Sequence, residues 1–213
     1  MADELAGWLS GSQRFRAFAE AHRDKIRRKL RGATDAQARR DVRAELRVAY
    51  LLLANRRIEL GWEAYGSAKG GPDFTITYRG HREFNLEVTR LRGVPDAAGL
   101  ARPMLAKLRQ LPPGLPNVLL IAIDGERADA LDVAGGVRAL RARADAKDEA
   151  FFASRGFVSA RAFYERFLRL SGVMVWCEGA ADDARAALWT NPSARIPLAD
   201  RAARACLACL RAD

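Results

Sequence analysis

From Gly70 to Arg90 the chain reads Gly-Gly-Pro-Asp-Phe-Thr-Ile-Thr-Tyr, a short polar turn, then Phe-Asn-Leu-Glu-Val-Thr-Arg. Two alternating runs joined by a turn predict a β-hairpin, with strands at 73–79 and 82–89. Side chains alternate across a strand, so Asp73, Thr75 and Thr77 share one face and Phe74, Ile76 and Tyr78 the other. In the second strand Asn85, Glu87 and Thr89 oppose Phe84, Leu86 and Val88. One face is apolar and suits a core. The other carries hydroxyls and two carboxylates, an oxygen donor set suited to a hard divalent cation such as Mg²⁺.

The flanking sequence sets this hairpin in an α/β domain. Residues 13–31 have a basic helical pattern, with Phe15, Phe18, Ile26 and Leu30 apolar. The segment from Gly32 to Asp35 ends that helix and offers Asp35 as a new N-cap. A second helix is expected over 36–55, with a stripe of Val42, Leu46, Ala49, Leu52 and Leu53. Glu45 falls on that stripe, and an acid on the buried side of a helix needs a partner or a metal. A strand is expected at 60–65 and, after the hairpin, a helix at 98–110. The continuous apolar run Val-Leu-Leu-Ile-Ala-Ile within 117–124 fits a strand buried on both faces. Beyond it, helices are expected near 126–143 and 159–170, strands at 172–176 and 187–190, and a last helix at 199–211. The charged stretch 143–156 reads as a surface loop. The fold class is therefore a central mixed β-sheet flanked by helices, with core order α-β-β-β-α-β. At 213 residues the chain reads as one domain: a basic segment at 1–35, a core at 36–125, and peripheral helices and strands at 126–213.

Charge and composition narrow the partners. The chain has 36 basic and 26 acidic residues, net +10, and only five of the basic residues are lysine (Lys25, Lys29, Lys69, Lys107 and Lys147). Arginine grips phosphate with a planar fork, and a basic surplus favours polyanions. A GC-rich coding bias would raise arginine and alanine together, so the charge counts only beside the hairpin. Cys177, Cys206 and Cys209 with His22 and His81 are too few for a structural zinc site with ligands to spare. Cys206 and Cys209, three apart in an alanine-rich helical segment, read as small core side chains. No apolar run reaches the length of a membrane span, and Met-Ala-Asp-Glu-Leu has no basic region followed by a hydrophobic one. A cytoplasmic location is the expectation.

The element order, with its acids in these places, resembles the PD-(D/E)XK nuclease superfamily, the restriction-endonuclease-like fold. Pro72-Asp73 matches that superfamily's Pro-Asp, Glu87-Val88-Thr89 falls where its Glu-X-Lys belongs, and Glu45 matches the acid on its first core helix. The likeness covers about 36–125. It implies that Asp73 and Glu87 hold Mg²⁺ or Mn²⁺ with the carbonyl of Val88, and that Glu45 assists directly or through water. It implies hydrolysis of phosphodiester bonds, with DNA the expected substrate. The departure is Thr89, which replaces the motif lysine and brings no charge. Arg90 is adjacent, but strand parity turns it to the opposite face. Lys69, just before Asp73, or Lys107 or Arg102 on the following helix could supply the charge instead. Phosphate contacts are expected from Arg47, Arg90 and Arg92, and a homodimer would suit cutting both strands of a duplex. Two other readings remain: a catalytically silent nucleic-acid-binding member of the fold, and a structural or partner-binding subunit.

Overall fold

The computed structural model describes residues 1–62, 65, 71–92, 97–124, 131–178 and 185–211. Its centre is a mixed, open sheet whose spatial order follows the chain, β1-β2-β3-β4-β5-β6. The strands are β1 (Ile58–Trp62), β2 (Phe74–Tyr78), β3 (Arg82–Arg90), β4 (Asn117–Ile123), β5 (Leu170–Cys177) and β6 (Ala186–Thr190). Pairing is antiparallel from β1 to β3, parallel from β3 to β5, and antiparallel again at β6. The predicted hairpin is β2–β3. Its reversal uses Arg79 and Gly80, both at positive φ.

The period-two pattern divides the core into two layers. Phe84, Leu86 and Val88 of β3, Val118 and Leu120 of β4, and Met174 and Trp176 of β5 pack on one face. That face is covered by α1 (Ala2–Gly11), α2 (Gln13–Ala21), α3 (Arg23–Gly32), α4 (Ala36–Leu53) and α9 (Asp200–Arg211). Leu119, Ile121, Val173 and Val175 pack on the other face. There they meet α5 (Ala97–Leu108), α6 (Val133–Asp145), α7 (Glu149–Ala153) and α8 (Ala160–Phe167). Both crossovers between parallel strands, α5 and the α6–α8 group, lie on this second face. Parallel strands covered on both sides bury every residue, as β4 and β5 do.

Several boundaries differ from the sequence reading. The basic pattern over 13–31 is two helices, broken at His22, where φ is −113° and ψ 20°. The expected cap at Asp35 forms: its side chain accepts from the Ala38 N–H at 2.8 Å. The first strand ends at Trp62, and Tyr65 lies in a turn instead. Part of the charged stretch 143–156 is the helix α7, capped by Asp148. The largest correction concerns β5, expected at the periphery. It lies inside the sheet between β4 and β6, because its alternating neighbours serve both cores at once. The three cysteines are thiols outside any disulfide and are buried in the core. Among the described residues no helix is long and apolar enough to cross a membrane.

Candidate functional site

Strand β3 outruns its neighbour. Phe74, the first residue of β2, pairs with Leu86, so Asp73 lies opposite Glu87 just beyond the end of the ladder. From Glu87 onward no strand pairs with the β2 edge of β3 among the described residues, and a cleft of about 410 Å³ opens there between α4 and α5. Asp41, Ala44 and Glu45 of α4 line it with Thr89 and Arg90 of β3 and Arg102 and Lys107 of α5. Gly71 helps set the entry to β2. A Cβ there would fall 2.7 Å from the Cβ of Tyr65, so glycine permits this close approach. Tyr65 in turn accepts a hydrogen bond at 3.2 Å from Asn85, two residues before Glu87.

The two hairpin acids are fixed by backbone as well as by register. Asp73 Oδ2 accepts from the Val88 N–H at 2.8 Å, and Glu87 Oε2 accepts from the Asp73 N–H at 3.2 Å. In a strand the N–H and C=O of one residue point to the same edge. The carbonyl of Val88 therefore faces the edge where Asp73 sits. Glu87 is 2% exposed, and its Oε1 receives the ammonium of Lys107. On the other side Glu45 Oε2 receives the ammonium of Lys29, which also stands 3.9 Å from Asp73 Oδ1.

Among the described residues, three carboxylates thus share two ammoniums in a half-dry cleft. Burial, reinforced by the charge on Asp73, pushes both Glu45 and Glu87 up to about 7 against the pull of their lysines. For Lys107 burial is the largest single influence and acts downward, but the charge and hydrogen bond of Glu87, with the charges of Asp73 and Glu45, together outweigh it and the net displacement is upward. Among the described residues no three His, Cys, Asp or Glu side chains come together as a ready metal-ligating group. The close pair is Asp73 and Glu87, with Glu45 joined to Asp73 through Lys29.

The sequence-predicted residues sort accordingly. Asp73, Glu87, Val88, Glu45 and Thr89 gather at the uncovered edge of β3, and Lys107 and Arg102 face them from α5. Lys69 lies outside the described residues. Arg90 turns to the α4 face as parity requires, between Asp41 at 3.7 Å and Asp124 at 3.0 Å, and Arg92 pairs with Asp41 at 2.7 Å. Arg47 is placed apart from the carboxylates, over the rings of Trp8 and Tyr50 and 4.0 Å from Glu178. The site residue that the sequence reading missed is Lys29, one of the basic residues of the helical pattern over 13–31. It had a signal: lysine is scarce in this arginine-dominated chain, and Lys29 follows the buried Ile26 by three residues, on the flank of the apolar stripe.

Comparison of the chain with protein-family models, with curated proteins and with solved structures returned no match.

Proposed function

We propose that the cleft beside β3 hydrolyses phosphodiester bonds of nucleic acid, DNA being the expected substrate, in a domain of the PD-(D/E)XK, restriction-endonuclease-like type. The observation that carries this reading is the opposition of Asp73 and Glu87 at the uncovered edge of β3, with the Lys107 ammonium on Glu87. The order α4-β1-β2-β3-α5-β4 agrees with the expected core. Lys107 offers, from α5, the positive charge that Thr89 cannot.

The donor chemistry fits a hard divalent cation. Asp73, Glu87 and the Val88 carbonyl are oxygen donors directed to one edge, and Mg²⁺ commonly takes one or two carboxylates with water filling the shell. Burial first and the charge on Asp73 second displace Glu45 and Glu87 upward, and a cation bound among these acids would offset both. Bound Mg²⁺ or Mn²⁺ would supply Lewis acidity to the phosphoryl group and lower the pKa of water. Lys107 holds a fixed positive charge where the nonbridging oxygens of a scissile phosphate gain negative charge. Glu45, near 7, can exchange a proton at its carboxylate at neutral pH. Arg102, exposed at the mouth of the cleft, is placed to meet phosphate.

A second reading, binding without cleavage, draws on the same two lysine–carboxylate pairs, since these partly neutralise the acids without a cation. One experiment separates the two: purified protein with supercoiled and linear single-stranded DNA, in Mg²⁺, Mn²⁺ or EDTA, beside Glu87→Gln. Hydrolysis requires metal-dependent cleavage that falls at least about 10²-fold in the variant while its Tm is kept. Salt-sensitive binding with no cleavage in either metal would select the silent reading.

A further inference from the structure

A second pocket, of about 400 Å³, lies across α4 from the first. It sits at the carboxyl ends of the parallel strands, where Arg90, Ala122, Ile123 and Trp176 leave the sheet, the usual place for a ligand in an open α/β sheet. The two pockets share Ala44 and Arg90 as lining, so a small side chain and one guanidinium stand between them. Residues 41 and 45 of α4 line the carboxylate cleft, whereas Arg40 and Arg43 line this one.

Its chemistry is that of an anion site. Arg43 is held by both carboxylate oxygens of Glu178, at 2.6 Å each, and Arg90 by Asp124. These two guanidiniums are thereby pre-positioned. Arg40 is exposed and has no ion-pair partner among the described residues. Arg43 is also gripped by Glu4, so the guanidinium left for a ligand among the described residues is that of Arg40, whose single positive charge matches the one negative charge of a phosphodiester. Trp176 lines the same pocket, is 1% exposed, and its indole N–H finds no acceptor among the described residues. A buried donor left unsatisfied is costly, and a phosphate oxygen would satisfy it.

We propose that this pocket is a phosphate subsite that seats a backbone phosphodiester of the nucleic-acid strand next to the one held in the carboxylate cleft. The inference rests on the nucleic-acid reading of that cleft. It assigns the subsite to Arg40, Arg43, Arg90 and the Trp176 N–H, and it makes α4 the divider between the bond cut and the phosphate gripped.

The test measures binding separately from cleavage. Fluorescence anisotropy of a labelled single-stranded oligonucleotide is followed in EDTA across a salt series, for the unaltered protein, Arg40→Ala, Trp176→Phe and the control Arg161→Ala. Arg161 is on α8, its side chain 88% exposed, on the far face of the sheet. Arg40→Ala should weaken binding several-fold and reduce the salt slope by about one, as for loss of one phosphate contact. Trp176→Phe should weaken binding with the slope kept, because it removes a donor and no charge. Arg161→Ala should change neither.

Affinity and slope unchanged in Arg40→Ala, or lowered equally in Arg161→Ala, would overturn the subsite even if the protein cleaves DNA. Loss in Arg40→Ala and Trp176→Phe without metal-dependent cleavage would keep the subsite and remove the hydrolytic reading. No binding by the unaltered protein removes both. A parallel arm compares 5′-phosphorylated with 5′-hydroxyl oligonucleotides. A gain from the terminal phosphate that disappears in Arg40→Ala would overturn the bridging assignment in favour of a terminal monoester.

Discussion

Two ion-pair clusters flank α4, and the same kinds of partner behave oppositely in them. On one side the guanidinium of Arg43 is gripped by Glu4 from α1 and by Glu178 beyond β5. There the Glu4 carboxyl falls below its ordinary value, first through its hydrogen bond to Arg43. On the other side Glu45 and Glu87, each bonded to a lysine, rise to about 7. What differs is crowding and water. At Arg43 a planar fork meets its carboxylates in matching geometry at the half-exposed surface. Around Asp73, among the described residues, three carboxylates compete for two point charges, and Glu87 is almost fully enclosed. The first cluster ties elements together. Among the described residues the second carries more carboxylates than ammoniums, which a structural clamp has no need to do, and on the proposed reading it is the one that takes a cation and a substrate.

The largest expected effect follows from Lys107. If it supplies the positive charge of the proposed reaction, Lys107→Met should lower the rate of metal-dependent cleavage by about 10²-fold or more. Without the ammonium, Glu87 should rise further, so the pH–rate profile should move to higher pH, and Lys107→Arg should restore part of the rate. Lys29→Met removes an ammonium of similar burial from Glu45 and should cost about tenfold. Equal losses in both variants, with no movement of the profile, would break the distinction between a charge that faces substrate and one that only balances an acid.

The contrast between the two lysines also marks what could be read in the residues alone. Asp73 and Glu87 were legible because a hairpin fixes parity and register locally, and the turn between them leaves little freedom. Glu45 was legible as a charge on an apolar stripe, and Lys107 as one of a few cations on the next helix. Lys29 was not, because its partner Glu45 lies across the α3–α4 turn and Asp73 more distant still. Only tertiary packing turns that flank of α3 inward, over the ring of Trp62. The same limit explains β5. A short apolar strand near the C-terminus carries no local sign of whether it will be paired on one edge or two. Its place between β4 and β6 follows from the crossover through α6–α8, which sequence periodicity does not encode.

A mid-sized effect concerns stability against pH in the metal-free protein. The folded carboxyls of Glu45 and Glu87 lie near 7, above the ordinary 4.5, so between these values the folded state retains protons that the unfolded chain has released. Stability should therefore fall as pH rises from about 5 to 7 and level off above. Between pH 5.5 and 8 the loss is about 2 kcal/mol per carboxylate, or roughly 4–8 °C each for a chain of this size. Thermal melts in EDTA at pH 5.5 and 8 measure it. Glu87→Gln should flatten the decline, and Mg²⁺ should raise Tm at pH 8 in the unaltered protein but not in the variant. A Tm that climbs with pH over this range would mean that the lysines satisfy the acids fully, and the cluster around Asp73 would then be a clamp like the one at Arg43.

The smallest effect completes the comparison from the other side. Glu4 is lowered, so its contribution is present above its ordinary pKa and is lost as pH falls through its folded value. Glu4→Gln should destabilise the protein at pH 7 by about 0.5–1 kcal/mol, the range of a partly exposed ion pair, and so lower Tm by roughly 2–3 °C. The deficit should shrink in strong acid, where the native carboxyl is protonated as well. It should leave the decline in Tm between pH 5.5 and 8 unchanged, because Glu4 acts on Arg43 and Glu45 and Glu87 answer to Asp73. If Glu4→Gln altered that decline, the two clusters would be coupled through α4, and a cation bound at one would be felt at the other.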